Sequence, residues 1–111
     1  MLKIYDVAQV LRGALHPLGV GIDAAFIYGA LARGSDDERS QVDLLVIGDA
    51  VTRTDILRAL APVQHQIGWQ LSPSVYGRKE LRHKLAAGNR YVASIMQQPK
   101  IFVVGSEAEL P

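Results

Sequence analysis

The chain has 111 residues, of which 49% are hydrophobic and 21% charged, with a net charge of +1 and no cysteine. That length fits one domain, 1–111, and the balance excludes a disulfide framework, a zinc–thiolate site and a surface charged enough to seek nucleic acid or membrane. No stretch approaches the roughly 18 apolar residues of a membrane helix, and the N-terminus lacks a signal peptide, so a cytoplasmic protein is expected.

In chain order, Val7, Val10, Leu11, Ala14, Leu15 and Leu18 form one stripe at helical spacing and predict a helix over Asp6–Leu18. Asp6 and Gln9 have the spacing of a capping box, and Pro17, Gly19 and Gly21 end the segment. His16 falls near the helix end, where positive charge suits the dipole, with no second histidine close in sequence to make a metal pair. Ile22–Tyr28 reads as a strand, which Gly29 breaks. Ala30–Arg33 favour a short helix, and Gly34 with the polar run Ser35–Ser40 makes a loop. Val42–Ile47 is the second strand, with Val42, Leu44 and Val46 facing one way and Asp43, Leu45 and Ile47 the other. An unpaired carboxylate is costly to bury, so Asp43 either meets water at a strand end or holds a cation.

Thr52–Ile67 predicts a second long helix, with Thr52 and Asp55 as a cap and Ile56, Leu60, Val63 and Ile67 as its buried stripe. Pro62 is expected to kink or break it near Ala61. Trp69–Tyr76 reads as a third strand, and Pro73 predicts that it lies at an edge or is irregular there. Its aromatic residues, Trp69 and Tyr76, suit packing better than stacking on a base. Gly77–Ala87 is a basic helical stretch carrying Arg78, Lys79, Arg82, His83 and Lys84, read by default as a solvated face, with binding of nucleic acid or an acidic partner protein as the alternative. Tyr91–Met96 predicts a short helix, Lys100–Val104 a last strand, and Gly105–Pro111 a frayed tail. Strands alternating with helices predict an α/β (α+β) domain of two layers, with a short mixed sheet and helices mainly on one face.

The stretch from Gly29 to Asp43 carries a longer pattern. Gly29-Ala30-Leu31-Ala32-Arg33-Gly34, followed at fixed distance by Ser40-Gln41-Val42-Asp43, resembles the signature of minimal nucleotidyltransferases of the DNA polymerase beta superfamily. More loosely, the rest of the chain is similar to the nucleotidyltransferase domain of winged-helix regulator fusions. The resemblance implies a nucleotidyltransferase-like fold, in which the first two strands are adjacent and Gly29 and Asp43 converge at one end of the sheet. It also implies a nucleotide-binding set of Gly29, Ala30, Arg33, Gly34 and Ser40, a catalytic Asp43, and Mg²⁺ held at Asp43 and Gln41. In the family, three carboxylates on two strands hold two Mg²⁺ ions that neutralise a triphosphate and activate a hydroxyl.

Three departures fall at the working positions. Ala30 stands where the family has serine, which removes a phosphate donor. Gln41 stands where it has the first aspartate, and a neutral amide brings no charge. The strand that should give the third carboxylate offers Gln70, Ser72 and Ser74, with Ser72 the best match. With Asp43 alone remaining, standard two-metal transfer is expected to be absent or very weak. Asp36, Asp37, Glu38 and Asp49 flank the second strand and are read as solvated loop charges. The expected function is a degenerate nucleotidyltransferase-like domain, acting as a weak nucleotide-binding or protein-interaction module of antitoxin or regulator kind. The alternative is an active Mg²⁺-dependent enzyme moving a nucleotide from an NTP to a hydroxyl of a protein or small molecule, using Asp43 with Asp37 or Glu38. The expected partners are a nucleotide and a protein, or a second copy docked through Tyr91–Met96, with no direct nucleic-acid contact and no membrane.

Overall fold

The computed structural model describes residues 4–29, 31–32 and 41–111. The strands β1 (Ala24–Tyr28), β2 (Val42–Ile47), β3 (Leu71–Tyr76) and β4 (Ile101–Val104) form one sheet in the order β3-β2-β1-β4. β1 is antiparallel to both neighbours, whereas β2 and β3 are parallel. A parallel pair needs a long crossover, and α2 (Arg53–Ile67) supplies it. The remaining helices are α1 (Ile4–Leu15), α3 (Arg78–Ala86) and α4 (Arg90–Gln97).

Side-chain alternation divides the interior in two. Ala25 and Ile27 of β1 and Val42, Leu44 and Val46 of β2 join Val7, Leu11 and Leu15 of α1 and Ile56, Leu60, Val63 and Ile67 of α2 in the larger core. Ala24, Phe26 and Tyr28 of β1 and Leu45 and Ile47 of β2 point to the other face, where Leu81 of α3 and Val92 and Ile95 of α4 cover them. The two long helices share one face and the two short ones close the other, whereas the sequence pattern predicts helices mainly on one face. β1 is buried along its whole length. Phe26 anchors the smaller core, with its ring centroid 5.5 Å from that of Phe102 and 6.2 Å from that of Tyr28.

Both sheet edges carry side chains that occupy their polar groups, which discourages pairing with another chain. On β3 the Leu71 N–H donates to Gln64 Oε1 at 3.1 Å, and Pro73 has no N–H to offer. On β4 the Phe102 carbonyl accepts from Arg12 at 2.9 Å. Pro73 at an edge matches the sequence reading.

Several expectations change. α1 is already formed at Ile4, so Asp6 lies in its first turn instead of capping it, and Gln9 accepts from Arg12. The α-helix stops at Leu15, and a 3₁₀ turn continues over His16–Gly21 with Pro17 in its first turn, where its missing N–H costs no hydrogen bond. Pro62 does not break α2, which runs on to Ile67. Arg58, whose carbonyl loses its intrahelical partner there, is exposed, so water can replace the bond. The chain end is tied down: Glu109 lies 3.8 Å from Arg78, which also bonds Asp23 at 3.2 Å, and Leu110 packs on the smaller core. Val92 and Ile95 are buried within their own chain, so of the apolar residues expected to form a dimer surface on α4 only Tyr91 is strongly exposed.

The α2 cap forms as read, with Thr52 Oγ1 accepting from the Asp55 N–H and the Asp55 carboxylate accepting from the Thr52 N–H. Thr52→Ala is expected to cost about 1 kcal/mol in urea unfolding at neutral pH. The Thr52 backbone N–H and hydroxyl hold the Asp55 carboxyl below its ordinary value of 3.8. A lowered folded pKa stabilises above the unfolded value and is lost as pH falls through the folded one. The stability gap between the native chain and Asp55→Asn should therefore be full above pH 3.8 and close below it, read from urea midpoints across the acid range.

Candidate functional site

The antiparallel register sets Tyr28 opposite Asp43 and so brings Gly29, the next residue, against the Asp43 side chain. Gly29 has φ +81°, and a Cβ placed there would stand 2.5 Å from Asp43 Oδ2. Two independent reasons therefore require glycine: a left-handed backbone and the closeness of the carboxylate. The convergence expected of these two residues is present.

On the other side of β2, the parallel register places Ser72 directly across from Asp43 and Ser74 across from Leu45. Adjacent strands lie about 4.8 Å apart, so the Ser72 hydroxyl is the side-chain group that β3 offers next to Asp43. Gln41 precedes β2 and is exposed. Asp43 is half-buried and shares its face of the sheet with Tyr28 and Ser74. The Tyr28 hydroxyl lies 3.1 Å from that of Tyr91, and Ser74 also hydrogen-bonds it. Burial, the bond to Tyr91 and the nearby Asp43 charge push the Tyr28 phenol well above its ordinary value of 10.0. Burial, with Tyr91 and Glu80 nearby, raises Tyr76 in the same direction. Asp43 is thus bordered by neutral hydroxyls.

Mg²⁺ prefers a near-octahedral shell of oxygens with carboxylate charge. Among the described residues no three His, Cys, Asp or Glu side chains gather where they could hold a metal. Among the described residues, Asp43 with the neutral oxygens of Ser72, Ser74 and Gln41 does not supply the charge of a two-metal centre. Asp49 offers no rescue, because it sits beyond the opposite end of β2, where it accepts from the Arg78 N–H at 3.1 Å. Ala30, Arg33, Gly34 and Ser40, together with Asp36, Asp37 and Glu38, lie outside the described residues. Leu31 and Ala32 form a turn.

Two further residues belong to this place. Gln98, the C-cap of α4, has its side-chain oxygen 3.2 Å from the Gly29 N–H. Tyr91 contributes its hydroxyl from the first turn of α4. The alternation in β1 signals Tyr28, but no local pattern signals Gln98, which is 69 residues from its partner. A separate cleft of about 690 Å³ lies between α2 and β3, bordered by Leu57, His65, Trp69 and Pro73. Leu71 and Pro73 alternate with Ser72 and Ser74, so this cleft opens on the face away from Asp43 and takes no part in its chemistry. Trp69 and Tyr76 both pack against the cores, as read.

No protein-family model matches the sequence, and no curated protein matches it. Among solved structures, a toxin–antitoxin with AMP-PNP has a chain that superposes with a TM-score of 0.66 at 10% identity, covering 94% of this chain and 77% of its own. A mutant of the toxin–antitoxin MntA-HpeT superposes with a TM-score of 0.65 at 8% identity, covering 92% and 76%. The fold is nucleotidyltransferase-like. At these identities the likeness speaks for the fold alone.

Gly29→Ala is expected to destabilise the chain by at least about 1 kcal/mol in thermal unfolding, from the left-handed backbone alone. Adding Asp43→Ala should recover only the part due to the clash. Tyr28 gives a pH prediction of opposite sense to that of Asp55. A raised folded pKa stabilises below the unfolded value, 10.0, and is lost as pH rises above it. Tyr28→Phe should flatten the loss of stability above pH 10.0, measured as the urea midpoint against pH.

Proposed function

We propose that this chain is a nucleotidyltransferase-like domain that works by binding, as a weak nucleotide-binding or protein-interaction module, and that it does not carry out two-metal nucleotide transfer. The observation that carries this reading is the register of Ser72 beside Asp43. The position best placed to add a second carboxylate holds a hydroxyl, and Gln41 on the other flank is neutral. Among the described residues the site then offers the Asp43 charge alone, which cannot hold two adjacent divalent ions against their mutual repulsion.

The structural neighbours support the two sides of this reading. One was solved with AMP-PNP, a nucleotide analogue, and both are toxin–antitoxin structures, a setting in which one protein is paired with another. The second is a mutant in which two aspartates two residues apart were changed to glutamate, and Gln41 and Asp43 have that same spacing. A partner protein that recognises the domain, with a weakly held nucleotide as modulator, is the role these features favour.

The test is calorimetric titration of ATP and GTP, with and without Mg²⁺, into the native chain and Asp43→Asn, beside an assay for labelling by radioactive NTP. Weak binding with little dependence on Mg²⁺, and no labelling, is the expected result. Tight Mg²⁺-dependent binding that is lost in Asp43→Asn, accompanied by labelling, would show a working enzyme instead.

A further inference from the structure

We infer that Gln98 occupies the anion position of this site and sets its selectivity against phosphate. The inference rests on the nucleotide-binding reading above and names the residue that limits it. The Gly29 N–H comes directly after β1, with a left-handed φ of +81° and no side chain to shield it. A backbone N–H exposed in such a turn is the kind of donor that cradles phosphate oxygens. Here it is already engaged. The Gln98 carboxamide turns its oxygen to the Gly29 N–H at 3.2 Å, and its nitrogen lies 3.5 Å from Ser94 Oγ. The amide orientation is dictated by the donor, since only the oxygen can accept from an N–H.

The electrostatics explain why this occupant is a neutral amide. Asp43 Oδ2 stands 2.5 Å from where a Gly29 Cβ would be. An anion brought to the Gly29 N–H would meet that carboxylate at close range. A carboxamide oxygen supplies the lone pair that the N–H needs without adding charge, so it is tolerated beside Asp43 where a phosphate oxygen is repelled. Gln98 is well placed to persist there. It is half-buried and caps α4, and the next turn of chain is pinned by Lys100, whose ammonium donates to the Gln98 carbonyl at 3.0 Å. A nucleotide must therefore displace the Gln98 oxygen from the Gly29 N–H, as well as overcome the Asp43 charge.

The experiment titrates inorganic triphosphate and ATP, each with and without Mg²⁺, into the native chain, Gln98→Ala and Gln98→Glu by calorimetry. The Gly29 amide proton is monitored by NMR. Loss of one competing hydrogen bond should make Gln98→Ala bind ATP about fivefold to tenfold more tightly than the native chain. The Gly29 amide proton of Gln98→Ala should resonate upfield of its native position and move back on titration. Gln98→Glu, which places a carboxylate at the same N–H, should bind more weakly than the native chain. Gln98→Asn, one methylene too short to reach Gly29, keeps the cap polar and should behave like Gln98→Ala if the latter proves unstable. Equal or weaker binding by Gln98→Ala and Gln98→Asn would overturn the inference while leaving the proposed function standing. Tight Mg²⁺-dependent binding and NTP labelling by the native chain would overturn the proposed function, and the ratio between variant and native affinity would still decide the role of Gln98.

Discussion

The structure depends on the burial of β1 from both sides. All five of its residues are buried, alternating between the core under α1 and α2 and the core under α3 and α4. A strand enclosed in this way has its register fixed, since a slip of one residue would exchange the two faces and put Phe26 where Ala25 belongs. A fixed β1 also fixes the turn at its end. Tyr28 must lie against Asp43, and the chain must turn at Gly29 within contact of that carboxylate. The candidate site is a consequence of core packing, and the requirement for glycine comes from the same register.

The chemistry of the site then turns on charge. The face of the sheet around Asp43 is furnished with hydroxyls: Tyr28 and Ser74 beside it, Ser72 across from it, and Tyr91 closing over from α4. These groups are good hydrogen-bonding neighbours for a carboxylate and poor substitutes for one. A phenol buried beside a negative charge is held in its protonated form, so Tyr28 cannot supply the missing anion near neutral pH. Among the described residues, the groups that the neighbouring strands set beside Asp43 are neutral hydroxyls. The group that meets the Gly29 N–H is neutral as well: the Gln98 side-chain oxygen, at 3.2 Å.

Legibility in the sequence tracks the range of each interaction. The Thr52–Asp55 cap spans three residues and was legible, because both partners and the turn between them lie in one window. The facing of Asp43 was legible from simple alternation along Val42–Ile47, and the edge position of β3 from Pro73. The helical cover of the second face was much less so. α3 commits only Leu81 and Leu85 to the core among its many charges, so its burial is visible only once Phe26 and Ile47 are seen to need covering. The persistence of α2 through Pro62 depends on solvent at Arg58, which no local pattern reports. The contact between Gln98 and Gly29 joins α4 to the end of β1 and exists only in three dimensions.

The proposal that charge, and not shape, separates this domain from a two-metal site is tested most directly by adding charge. Gln41→Asp combined with Ser72→Asp would place carboxylates on both flanks of Asp43 without altering the strands that carry them. The measurement is the melting temperature with and without Mg²⁺ and ATP. The expected result is that Mg²⁺ and ATP together stabilise the rebuilt variant by about 5 °C or more and leave the native chain nearly unmoved. Equal stabilisation of the native chain would contradict the charge account, because Asp43 and its neutral neighbours would then already hold metal and nucleotide.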